Sequence, residues 1–261
     1  MDRLYRLDDH GTARHAIERD GVFYLLDGDW LGEFRLGREL GRAEQPGGCP
    51  AGFRILAPVV PSKIIGVGLN YRDHAAETGK PVPTEPLIFL KPSTAVIAQG
   101  EAIRIPPEAG RVDHEAEMAI VIGKRASRVP RARAAEFVLG VTCANDVTAR
   151  AMQRRGVQYS HCKGYDTFAP LGPALSLGLD ARALQVEGWV NGVRRQASST
   201  ANLIFPIDEL VAYISAVMTL LPGDVISTGT PEGIAPLEPG DTVTVKVEGV
   251  GDLTNPVVAR T

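Results

Sequence analysis

Apolar residues in this 261-residue chain fall into short, β-branched runs closed off by glycine or proline, so long helices have little room to form. Residues 63–67 (KIIGV), 87–90 (LIFL), 118–122 (MAIVI), 138–144 (VLGVTCA) and 225–228 (VIST) are such runs, and each reads as a strand. Pro222-Gly223-Asp224 and Pro239-Gly240-Asp241 are type II turn signals, because proline presets φ and glycine accepts positive φ. After the second turn, 242–247 (TVTVKV) alternates polar and apolar, the pattern of a half-buried strand. Helical signals are fewer. Residues 70–78 (NYRDHAAET) have Asn70 as a cap and Gly79 as a stop; 130–138 and 148–155 are further candidates. Residues 207–220 carry an apolar face of Leu210, Ile214 and Val217. Regular strand–helix alternation, GxGxxG and Walker patterns are all missing, so the expected class is a β-rich α+β fold.

The first 60 residues differ from the rest. Short segments such as 22–26 (VFYLL) are separated by Asp/Gly turns and end in 45–52 (QPGGCPAG), which reads as a linker. The expected division is a small N-terminal β-rich domain with its linker over 1–60 and a larger domain over 61–261. With 44% hydrophobic residues and a net charge of −3, the chain can bury a core, and it shows no basic cluster for nucleic acid. No apolar stretch approaches the roughly 20 residues that span a bilayer. The polar opening MDRLYRLDDHGTARHAIERD has no secretory pattern, so a cytoplasmic placement is expected. Three cysteines without a CxxC pair fit free thiols in a reducing compartment, with Cys143 and Cys162 as small buried hydrophobes.

Asp113-His114-Glu115-Ala116-Glu117 runs directly into the apolar MAIVIG. On a strand, Glu115 and Glu117 share a face roughly 6–7 Å apart. Two carboxylates at that spacing repel by about 2–3 kcal/mol at an effective dielectric near 20. Water on an exposed face, a raised pKa or a cation relieves that repulsion. Asp146, after the run 138–144, is either the N-cap of the next helix or a third oxygen ligand. Three carboxylates from a strand and a strand-to-helix turn suit Mg²⁺, whereas no His/Cys cluster of zinc type is present.

Other polar residues admit two roles each. His74, with Glu77 at i, i+3, is a structural histidine near a helix end or a carboxylate-oriented imidazole. Arg150 and Gln153 are an exposed helix face or a fork for a substrate carboxylate. Lys163 is a solvated lysine or a positive charge beside a developing enolate. The 227–233 segment (STGTPEG) is a plain turn or one that offers Gly229 and Thr230 to a substrate. The 79–86 stretch (GKPVPTEP) has the composition of a loop that moves over a site.

Taken together, GVGLNYRDHAAE, FLKPSTAVI, DHEAEMAIVIGK, NDVTARAMQ, KGYDTFAPLGP and ISTGTPEGI resemble, in order, the motifs of the fumarylacetoacetate hydrolase family. The resemblance covers roughly residues 62–259, and Met118 replaces the leucine often seen after Glu-x-Glu. It implies a mixed β-sandwich roll, a homodimer, and a divalent metal, Mg²⁺ with Mn²⁺ or Ca²⁺ as alternatives. By motif position it implies Glu115, Glu117 and Asp146 as metal ligands and His74, Glu77 and Lys163 as catalytic residues. It further implies Arg150, Gln153, Thr230 and Gly229 around the substrate. The implied chemistry is C–C hydrolysis of an acylpyruvate-type 2,4-dioxo acid through a metal-stabilised enolate. Isomerisation of 2-hydroxyhepta-2,4-diene-1,7-dioate and decarboxylation of oxaloacetate are the alternatives, and a catalytically silent module is the alternative of another class.

Overall fold

The computed structural model describes residues 1–45, 47–79, 81–155 and 158–260. Strands β1 (Arg3–Asp9), β2 (Thr12–Arg19), β3 (Val22–Gly28) and β4 (Phe34–Gly41) pair antiparallel in sequence order, and β5 (Phe53–Leu56) returns to β1. The first two hairpin loops are His10-Gly11 and Asp20-Gly21, all four residues at positive φ, the two-residue turn whose twist matches the strands it joins.

Helix α1 (Arg72–Glu77) lies between β6 (Ile64–Gly68) and β7 (Leu87–Lys91). The short β8 (Val96–Ile97), β9 (Ile103–Ile105) and β10 (Val112–His114) lead to β11 (Ala116–Ile122) and, after a 3₁₀ segment, to β12 (Val138–Asn145). Then come β13 (Thr148–Ala149), α2 (Arg150–Gln153), α3 (Ser160–Lys163), β14 (Ala169–Leu177), β15 (Gln185–Val190) and β16 (Val193–Ser199). The chain finishes with α4 (Ile207–Val217), β17 (Val225–Ser227), β18 (Ala235–Leu237), β19 (Thr242–Val247) and β20 (Gly251–Ala259).

Twelve strands make one mixed sheet, ordered β4-β3-β2-β1-β14-β12-β11-β17-β6-β7, with β5 on β1 and β8 on β14. Sheets of three (β13-β10-β18) and five strands (β16-β15-β19-β20-β9) complete the roll. This is the β-rich architecture expected from the runs. The N-terminal hairpins join the large sheet where β1 pairs with β14, Leu4 opposite Leu175.

At the centre, all seven residues of β11 are buried. Its alternate side chains enter two cores: Met118, Ile120 and Ile122 pack with Leu210, Val211 and Ile214 of α4, and Ala119 and Val121 with Ile64, Leu175 and Val225. A strand covered on both faces reads as an unbroken apolar run, hence MAIVI. Burying each large aliphatic side chain there contributes about 1.5–3 kcal/mol. Cys143 and Cys162 are buried among apolar neighbours, as expected, and burial pushes both thiols above their ordinary range. Among the described residues no helix is long and apolar enough to cross a membrane.

Several local expectations are corrected. The 70–78 helix is shorter, and Asn70 does not cap it: its amide donates to the carbonyls of Phe205 and Thr228 and accepts from the Phe205 N–H. Gly79, at φ +63°, does end it, donating to the Ala76 carbonyl. The 130–138 segment is a 3₁₀ helix over Arg131–Phe137, and 148–155 divides into β13 and α2. In α4, Leu210 and Ile214 are buried but Val217, at the last turn, is exposed. Gly223 and Gly240 take positive φ in the Pro-Gly-Asp turns, as their sequence requires. Of the 45–52 and 79–86 stretches, Pro46 and Lys80 lie outside the described residues.

Candidate metal centre

Three carboxylates converge because β11 and β12 are in a fixed register. Ala116 stands opposite Asn145. Glu115 therefore precedes β11 just where Asp146 follows β12, and the Asp146 N–H donates to the Glu115 carbonyl at 2.9 Å. The Asn145 side chain also accepts from the Glu115 N–H at 3.0 Å. Glu117 has the parity of Ala119 and Val121. One oxygen from each of Glu115, Glu117 and Asp146 lies within 4.8 Å of the other two, and all three residues are buried. Asp146 does not cap α2, whose N-cap is Ala149 with no side-chain bond.

Cations surround two of these acids. Lys163 Nζ donates to Glu115 (2.8 Å), Asp146 (2.5 Å) and the Thr148 hydroxyl (2.8 Å). Burial opposes the Lys163 charge, but Asp146 and Glu115 outweigh it and hold the amine above its ordinary range. Lys91, at the end of β7, donates to Asp146 and to the Phe168 carbonyl, with burial pulling its amine below the usual lysine value. Arg150 donates to Asp113 (2.8 Å), to Glu115 (2.5 Å) and to Gln153 (2.8 Å). Burial would raise the Glu115 carboxyl, yet Lys163 and Arg150 reverse this and hold it far below the usual carboxylate range.

Glu117 is different. Its Oε2 accepts from the Ser227 hydroxyl (2.5 Å) and the Gly229 N–H (2.9 Å), and among the described residues no cation pairs with it. Burial first, then Asp146 and Glu115, push its carboxyl well above the ordinary range. Gly229 sits at φ +100°, and a Cβ there would meet Asn70 Cβ at 2.7 Å, so only glycine brings its N–H this close to Glu117. A divalent cation 2.0–2.6 Å from each ligand needs oxygens no more than about 5 Å apart. Three hard oxygen donors at that spacing, one of them a carboxylate without a counter-charge, fit such an ion.

Glu115 and Asp146 line a cleft of about 450 Å³ together with His74, Arg150, Gln153, Lys163 and Thr230. His74 Nδ1 is 2.8 Å from Glu77 Oε2, and Glu77 Oε1 accepts from the Gly233 N–H at 2.9 Å. The carboxylate thus orients the ring and, as acceptor, assigns the proton to Nδ1. Pro83 and Leu87 reach the cleft from the 79–86 stretch and the start of β7.

A model of the fumarylacetoacetate (FAA) hydrolase C-terminal family matches residues 63–258. The chain belongs to the fumarylacetoacetate hydrolase family. Within that family, it is 42% identical over 208 residues to the mitochondrial oxaloacetate tautomerase FAHD1 of Oryza sativa subsp. japonica, covering 76% of this chain and 90% of the relative. The solved structure of 5-carboxymethyl-2-hydroxymuconate delta-isomerase from Mycobacterium smegmatis superposes with a TM-score of 0.89 at 46% identity, over 99% of this chain and all of that one. Maleylpyruvate hydrolase from Sphingobium sp. SYK-6, solved with a manganese(II) ion and pyruvate, gives a TM-score of 0.78 at 28% identity over 99% of this chain and 100% of that one.

Sequence reasoning passed over Lys91, Asp113, Ser227 and Gln196 of this family member. Lys91 ends an apolar run, LIFLK, on the inward side shared with Phe89, and a lysine so placed is the one local signal. Gln196 offers none, since its partners lie 34 to 80 residues away.

Proposed function

We propose that the chain is a divalent-metal-dependent enzyme of 2-oxo acids that moves a proton at the carbon beside the keto group, interconverting enol and keto forms or double-bond positions. The observation that carries this is that Glu115 and Asp146 of the carboxylate triad line the same cleft as His74, whose ring Glu77 holds. A cation held by Glu115, Glu117 and Asp146, Mg²⁺ with Mn²⁺ or Ca²⁺ as alternatives, supplies Lewis-acid polarisation of the keto oxygen.

His74 Nε2 is the basic atom, because Nδ1 is committed to Glu77. It takes the proton from the substrate carbon and returns it at the new position. Arg150 uses three of its five N–H groups on Asp113, Glu115 and Gln153, which leaves two to fork onto the substrate carboxylate. Lys163 spends its three N–H bonds on Glu115, Asp146 and Thr148, so its contribution is a fixed positive charge. The names of the isomerase and tautomerase relatives support proton transfer.

Hydrolysis of a carbon–carbon bond is the second reading, favoured by the likeness to maleylpyruvate hydrolase. There His74 takes its proton from water rather than from carbon. Enol–keto interconversion of oxaloacetate and cleavage of an acylpyruvate, followed in parallel before and after EDTA treatment, separate the two. Metal-dependent interconversion that falls about 10²–10⁴-fold in His74→Ala supports proton transfer. Metal-dependent cleavage with the same sensitivity supports hydrolysis. Loss of CO₂ that is indifferent to His74, or no turnover by metal-loaded protein, contradicts both.

A further inference from the structure

Between the two glutamates lies Ala116, and its peptide groups are tied down in an unusual way. β17 pairs with β11 from Ala119 to Val121, and the ladder stops there. On that edge the Met118 carbonyl is still served by the N–H and hydroxyl of Thr228. At Ala116 side chains take over. The Ala116 N–H donates to Gln196 Oε1 at 2.9 Å, and the Ala116 carbonyl accepts from the Thr230 hydroxyl at 2.9 Å. Gln196 Nε2 donates to that same hydroxyl at 2.8 Å and to the Pro231 carbonyl at 2.8 Å. The bonds close a ring, Gln196 to Ala116 to Thr230 and back, in which every member is buried.

We propose that Gln196 and Thr230 are positioning residues that set the spacing of Glu115 and Glu117 by clamping the peptide between them. This rests on the divalent-cation reading above. Thr230 has one hydroxyl proton, and it is committed to Ala116; one lone pair is committed to Gln196. No donor remains on the hydroxyl for a substrate, so its role is to hold the ligand strand. Gln196 belongs to β16, in the five-stranded sheet, so the clamp fastens one sheet to another at the ligand pair. Gly188, opposite Gln196 on β15, makes the approach possible. A Cβ on it would stand 2.7 Å from Gln196 Oε1 and 3.1 Å from Ala116 Cβ.

The test is Mn²⁺ affinity by titration calorimetry on EDTA-treated protein, for wild type, Thr230→Val, Thr230→Ser and Gln196→Met. Thr230→Val and Gln196→Met should bind Mn²⁺ about 10–100-fold more weakly, the usual effect of removing a group that orients a ligand. Thr230→Ser, which keeps the hydroxyl, should restore most of that loss. The KM for substrate at saturating Mn²⁺ should shift by less than the metal affinity does. Valine and serine bracket the hydroxyl with changes of one group each, so this pair decides whatever the stability of Gln196→Met. Wild-type Mn²⁺ affinity in Thr230→Val with a raised KM would overturn the clamp. No Mn²⁺ binding by the wild type would instead overturn the divalent-cation reading itself, and the clamp with it.

Discussion

Around Asp146, ion pairs are formed in near-complete isolation from water: the side chains of Lys91 and Asp146 are 1% and 2% exposed. Along the N-terminal strands the partners stay wet, as in Arg54–Asp8, at 57% and 23%. Arg19–Asp2 is likewise at the surface, and Arg3–Glu18 is half-buried. Pairs of the second kind contribute about 0.2–1 kcal/mol and tolerate loss. Pairs of the first kind carry a desolvation cost of several kcal/mol per ion that their attraction barely offsets. A fold gains little stability from burying Lys91, Lys163 and Arg150 against Asp113, Glu115 and Asp146. It gains a rigid, water-poor cluster of acids held ready beside a cleft. The difference between the regions marks the candidate site more clearly than any one residue does.

The contrast can be broken from either side. The largest effect is expected for Asp146→Asn, which removes a triad member and leaves two lysines under-compensated. Turnover at saturating Mg²⁺ should fall by about 10²–10³-fold or more, as for loss of a preorganised electrostatic group. Next is Lys91→Met, which removes one of the two cations on Asp146 and leaves it to Lys163 alone; urea unfolding of metal-free protein should show a loss of about 1–3 kcal/mol.

A smaller effect concerns His15, which stacks on Trp30 with ring centroids 4.6 Å apart. Burial, then Arg6, lower its pKa from 6.5 to about 4. The unfolded chain therefore binds a proton through this window that the folded chain refuses, and stability falls as pH drops from 6.5 to 4. Allowing for the ring's partial exposure, the loss is about 1–2 kcal/mol. His15→Gln should flatten that part of a melting-temperature profile against pH. The smallest effect belongs to Arg54→Ala. It breaks contacts to Asp8 and Glu101, and should cost no more than about 1 kcal/mol, less still at high salt.

The short apolar runs told of the strands because a buried strand needs little more than its own composition to be recognised; β6, β7, β11, β12 and β17 each lie within two residues of the runs that announced them. Asn70 misled because an amide before a helical stretch is also free to bind distant backbone, and Phe205 and Thr228 claim it. The triad was legible as residue types in sequence, since carboxylates against an apolar run are costly and need a reason. What surrounds it was not. Lys91 meets Asp146 across 55 residues and Gln196 meets Ala116 across 80, the first between strands of the large sheet and the second between sheets, and neither is written in a local pattern.

The most direct test of the account is anomalous scattering from a crystal soaked in manganese chloride. One peak per chain, within about 2.5 Å of oxygens from Glu115, Glu117 and Asp146, is the predicted result. A peak elsewhere with the triad empty, or no peak in protein that turns over 2-oxo acids after EDTA treatment, would contradict it.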